Sequence, residues 1–127
     1  MKSRTALTAV AVLLLALALA ACGDDDGDGT TADADAGDGG PIHIEMGDMY
    51  FEPDSITVPA GEPVELELEN VGASEHDLVL EDGTDTGTVS PGDSTTVEIG
   101  PFDESTTGWC AVPGHQSSGM EIDIIVE

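Results

Sequence analysis

The chain has 127 residues, 27 of them Asp or Glu, and its only Lys or Arg side chains are Lys2 and Arg4. Past residue 4 nothing remains to neutralise a phosphate, which excludes nucleic-acid binding and polybasic membrane docking. Enzymes that clamp anionic substrates with Arg or Lys are excluded on the same ground. The length allows one small domain plus short extras, and the versatile chemistry reduces to His43, His76, His115, Cys22 and Cys110.

Residues 1–21 read as an export signal. Lys2 and Arg4 give a positively charged start, and Ala6 to Ala21 is an apolar run of sixteen residues. A membrane span needs about 20, whereas a charged start, a short apolar core and small residues at its end suit a secretory signal. The run closes Leu19-Ala20-Ala21-Cys22, which resembles the lipobox of bacterial lipoproteins. That resemblance implies acylation of Cys22, and acyl chains hold a protein on a membrane without spanning it. The expected location is therefore the outer face of the cytoplasmic membrane, on its periplasmic or extracellular side.

Residues 22–40 follow as a linker. Gly23 to Gly40 is almost wholly Gly, Asp, Ala and Thr, with seven Asp. Nothing there buries useful apolar area and like charges repel, so the stretch is expected to be a disordered acidic tether. Fully extended it reaches roughly 60 Å. Its Asp spacing matches no EF-hand loop.

Residues 41–127 read as an all-β domain. Ile42, Ile44 and Met46 share one face of a strand whose other face carries His43 and Glu45; Val64, Leu66 and Leu68 alternate with Glu65, Glu67 and Glu69. At the end of the chain Met120, Ile122, Ile124 and Val126 alternate with Glu121, Asp123 and Ile125. Each pattern describes a strand with one buried and one wet face. Turn signals at Pro53-Asp54, Pro59-Ala60-Gly61, Asp82-Gly83, Pro91-Gly92 and Pro113-Gly114 separate them. Short strands at this spacing indicate a β-sandwich or barrel.

One stretch carries the chemistry: Cys110-Ala111-Val112-Pro113-Gly114-His115-Gln116-Ser117-Ser118-Gly119-Met120. Cys110 ends one predicted strand and Met120 begins the last, so the intervening loop can fold thiolate, imidazole and thioether around one point. His76, in Ser74-Glu75-His76-Asp77 before the strand Leu78-Val79-Leu80, supplies a fourth donor. Two nitrogens, one thiolate and a weak thioether suit copper in both oxidation states, since Cu(I) favours soft sulfur and Cu(II) accepts imidazole. Zinc gains little from a thioether.

Together with Phe51-Glu52-Pro53, Ile56-Thr57-Val58-Pro59-Ala60-Gly61 and the Val64 to Asn70 strand, this loop resembles the cupredoxins, the small blue copper proteins of the plastocyanin and azurin kind. The resemblance covers about residues 41–127. It implies an eight-stranded Greek-key sandwich with one type 1 copper site near one end, held by His76, Cys110, His115 and Met120. It also implies single-electron shuttling through the edge of His115. Asp77 stands where family members often carry Asn, and Ala111 where Ser or Thr is frequent; both places support the ligand loops. His43 is expected at the surface, Met46 and Met49 in packing, and Trp109 either shielding the metal or in the core.

The function expected is a monomeric, non-enzymatic, lipid-anchored carrier of one electron between redox proteins such as a cytochrome or a membrane respiratory complex. Copper storage or delivery is the alternative, although delivery proteins tend to use exposed Met and His clusters that are absent here. A thiol enzyme built on Cys110 and His115 leaves His76 and Met120 unexplained. Twenty carboxylates with no Lys or Arg crowd residues 41–127, which points to a saline habitat or to a basic partner.

Overall fold

The computed structural model describes residues 39–127 and, upstream, a two-residue strand at Ala34–Asp35. The expected export signal, Cys22 and most of the acidic linker lie outside the described residues. Alternation of apolar and polar side chains produces the strands, because period two places one set on each face. In chain order these are β1 (Ala34–Asp35), β2 (Ile42–Gly47), β3 (Tyr50–Glu52), β4 (Ser55–Val58), β5 (Val64–Asn70), β6 (Val79–Leu80), β7 (Ser94–Ile99), β8 (Thr106–Trp109) and β9 (Glu121–Val126).

They form two layers. One sheet has the order β1-β4-β9-β8-β6 and the other β3-β2-β5-β7. Both are mixed: β2 runs parallel to β5, and β4 parallel to β9, while the remaining pairs of β2 to β9 are antiparallel. The all-β sandwich expected from the alternation is what the chain forms, and β2 to β9 number the eight strands that the resemblance implies. β1 is an addition. It pairs in parallel with β4 through Ala34 and Asp35, so a short paired segment sits inside the stretch expected to be tether.

The inward faces meet in a single core. Ile42, Ile44 and Met46 from β2, Leu66 and Leu68 from β5, and Ile122 and Ile124 from β9 are buried together with Phe51, Ile56, Leu78 and Leu80. Each such side chain contributes about 1.5–3 kcal/mol when fully removed from water, and the site described next lies at one end of this cluster. Met49 departs from expectation. It is 40% exposed at the turn between β2 and β3, where φ is +72°, so it packs in no core; Met46 does. Among the described residues the only helical element is one 3₁₀ turn, Gln116–Ser118, and no helix is long and apolar enough to cross a membrane.

Candidate metal centre

His76 lies on the crossover that leaves β5 in one sheet and enters β6 in the other. Its backbone pairs with Val89, the His76 N–H donating to the Val89 carbonyl at 3.1 Å and the Val89 N–H returning at 2.7 Å. Buried Asn70, the last residue of β5, fixes the same segment. Its Nδ2 donates to the carbonyls of Ser74 and Val89, both at 2.8 Å, and its Oδ1 accepts the Gly72 N–H at 2.9 Å.

The other donors lie on the connection between β8 and β9. The Cys110 N–H donates to the Met120 carbonyl at 3.1 Å, and the Met120 N–H to the His115 carbonyl at 3.2 Å. The Pro113-Gly114 turn is closed by the His115 N–H on the Val112 carbonyl at 3.0 Å. The hydroxyls of Ser117 and Ser118 donate to the Gly114 carbonyl at 3.0 and 2.8 Å. Asp77 bridges the two ligand-bearing segments, its Oδ1 accepting the Ala111 N–H at 2.6 Å. A carboxylate oxygen accepts here as an Asn oxygen would, so the departures at 77 and 111 keep a link between the loops.

These constraints bring three donor atoms to one point. Cys110 Sγ lies 3.5 Å from His115 Nδ1 and 3.9 Å from His76 Nδ1, and the two Nδ1 atoms are 3.1 Å apart. Metal bonds of about 2.0–2.1 Å to nitrogen and 2.3 Å to sulfur hold neighbouring donors roughly 3.3–3.8 Å apart, so the set fits a single ion. His76, Cys110 and Met120 are fully buried and His115 is 6% exposed. Met120 joins the group through both backbone hydrogen bonds above, with its side chain in the core.

The electrostatics follow from burial. Loss of water pushes the Cys110 thiol above its ordinary range and holds the His76 imidazole below its own, with His115 beside it as the second cause. The metal-free site therefore carries a protonated thiol and a neutral His76, and a metal must displace the thiol proton to bind. Asp48, in the turn after β2, lies 3.4 Å from His76 Nε2. Its carboxyl is lowered chiefly by the Ala73 N–H it accepts.

His43 is not part of this group. It lies exposed on the outer face of β2, with Nδ1 3.7 Å from Glu67 and Nε2 3.3 Å from Glu69. Trp109 is half-buried at the end of β8. Asp48 and Gly72 escape the reading of the sequence, and Asn70 enters it only as the end of a strand. Asp48 and Gly72 occupy turns, and only the fold sets them beside His76.

The chain matches the cupredoxin-like domain family over residues 7–106, a span that ends before Cys110. No curated protein matches it. Among solved structures it is similar to a dithionite-reduced auracyanin from Roseiflexus castenholzii, with 19% identity, a TM-score of 0.61, and coverage of 67% of this chain and 94% of that one. Auracyanin A from Chloroflexus aurantiacus, described as a "blue" copper protein, gives 19% identity and a TM-score of 0.58 over 69% of this chain and all of its own. Rusticyanin from Thiobacillus ferrooxidans gives 18% identity and a TM-score of 0.56 over 68% and 77%. At such identities the structural likeness speaks for the fold, and the family match extends over most of the sequence; the chain belongs to the cupredoxin-like family.

Proposed function

We propose that the protein is a type 1 copper protein that carries single electrons, with His76, Cys110, His115 and Met120 as ligands. The observation that carries this reading is the convergence of two imidazole Nδ1 atoms and one thiol Sγ, 3.1–3.9 Å apart, on three buried side chains. A copper ion bound there supplies a one-electron Cu(I)/Cu(II) couple.

The chain's own residues do the rest. Cys110 loses its proton and becomes the strong thiolate donor, and the two histidines, one from each segment, present Nδ1 atoms 3.1 Å apart. The backbone hydrogen bonds among Cys110, His115 and Met120 fix the loop that carries three of the donors, which favours little rearrangement on a change of charge. Burial keeps water out. His115 alone among the four retains some exposure, and it is the exit through which an electron passes to a redox partner, a cytochrome or a membrane respiratory complex. Export and a lipid on Cys22 would place this traffic at the outer face of the cytoplasmic membrane.

Adding copper(II) to the purified protein tests the reading. An intense visible thiolate-to-copper absorption is expected, and Cys110→Ser abolishes it. A colourless protein that binds copper tightly, or colour that survives Cys110→Ser, overturns it. Electron self-exchange faster than copper exchange is expected of a carrier, and the reverse order identifies a delivery protein instead.

A further inference from the structure

His76 Nε2 is the one buried side-chain nitrogen or oxygen among the described residues that lacks a hydrogen-bond partner. An imidazole that gives Nδ1 to a metal must carry its proton on Nε2, and that N–H needs an acceptor. The group beside it is Asp48 Oδ1 at 3.4 Å, somewhat longer than a formed N–H···O bond. Asp48 is not loose. Its carboxylate accepts the N–H groups of Ala73 and Ser74 at 3.1–3.2 Å, which ties the β2–β3 turn to the crossover that bears His76.

Gly72 keeps the approach open. A Cβ there would lie 2.7 Å from Asp48 Oδ1, 2.8 Å from His76 Nε2 and 3.0 Å from the Asp48 backbone nitrogen. Any side chain at 72 would occupy the space through which carboxylate and imidazole face one another. Three residues from two turns, Asp48, Gly72 and His76, thus make one arrangement.

We infer that Asp48 is a positioning residue: its carboxylate holds the His76 proton on Nε2, frees Nδ1 for the metal, and favours the more highly charged oxidation state. The inference rests on the copper reading above. A fixed negative charge behind one ligand stabilises Cu(II) more than Cu(I), because the attraction grows with the charge of the ion. Removing the charge therefore weakens Cu(II) binding selectively and raises the reduction potential.

The full chain, Asp48→Asn and Gly72→Ala decide the matter. Asn retains an oxygen for the Ala73 and Ser74 N–H groups, so the turn stays tied while the charge goes. ¹⁵N NMR of the metal-free proteins is expected to find the His76 proton on Nε2 in the wild type and shifted toward Nδ1 in Gly72→Ala, with a smaller shift in Asp48→Asn, whose oxygen still faces Nε2. With copper, Asp48→Asn is expected to keep its colour yet lose about tenfold in Cu(II) affinity relative to Cu(I), which is about 59 mV upward for one electron. A wild-type His76 proton on Nδ1, or an Asp48→Asn potential equivalent to less than a twofold change, overturns the assignment. A wild type that takes up copper without colour would sink the blue-site reading alone, and the metal-free NMR would still decide the role of Asp48.

Discussion

Asn70 commits every hydrogen-bonding group of its amide to the backbone around His76, two donors and one acceptor, from a position that is 1% exposed. Asn70→Ala strands the Ser74 carbonyl and leaves the Val89 carbonyl and the Gly72 N–H with only their backbone partners, His76 and Met46, and is expected to cost about 1–3 kcal/mol. Urea unfolding measures that loss, and copper dissociation from the variant should quicken because the His76 segment loses its ties. Asn70→Asp is no remedy, since a carboxylate offers no donors to the two carbonyls. The four ligand candidates were legible because the chemistry fixes their types and three of them share eleven consecutive residues. Their supports were not. Asp48 and Ala73 stand 25 positions apart, and nothing local in Gly47-Asp48-Met49 announces that its carboxylate faces a histidine.

β8 shows how an element aims the site. Gly108 is buried within it, and a Cβ there would lie 2.7 Å from both Leu78 Cδ1 and Leu80 Cδ2, and 3.2 Å from Ile122 Cγ2. The missing side chain lets the side chains of Leu78, Leu80 and Ile122 close over β8. Gly108→Val is expected to cost about 1–3 kcal/mol by overpacking, readable as a lower urea midpoint, and the shift of β8 should broaden the copper absorption through Cys110. β2, β5 and β9 were plain in the sequence because each alternates aliphatic with acidic side chains. β7 was not: its inward positions are Thr95, Val97 and Ile99, the first two only half-buried, so its period-two signal is diluted by hydroxyls. β6 was read as Leu78 to Leu80 and pairs only through Val79 and Leu80.

The whole molecule is short of positive charge. Among the described residues the carboxylates that approach a basic side chain are Glu67 and Glu69 beside His43 and Asp48 beside His76; no Lys or Arg occurs after residue 4. Repulsion among carboxylates opposes the compact state, and molar salt shortens the screening length to about 3 Å. Melting in 1 M KCl is therefore expected at least about 5 °C above that in 0.05 M, a difference of roughly 1 kcal/mol for a domain of this size. An unchanged melting temperature would count against the repulsion. The seam between the layers adds a mechanical consequence. Cys110, His115 and Met120 lie on a connection between two strands of the five-stranded sheet, whereas Asn70 and Asp48 steady His76, on the crossover between the layers, from the four-stranded one. Sliding of one layer across the other would load a single imidazole through those ties, so under hydrostatic compression the hue of the copper-loaded protein would act as a gauge of interlayer slip.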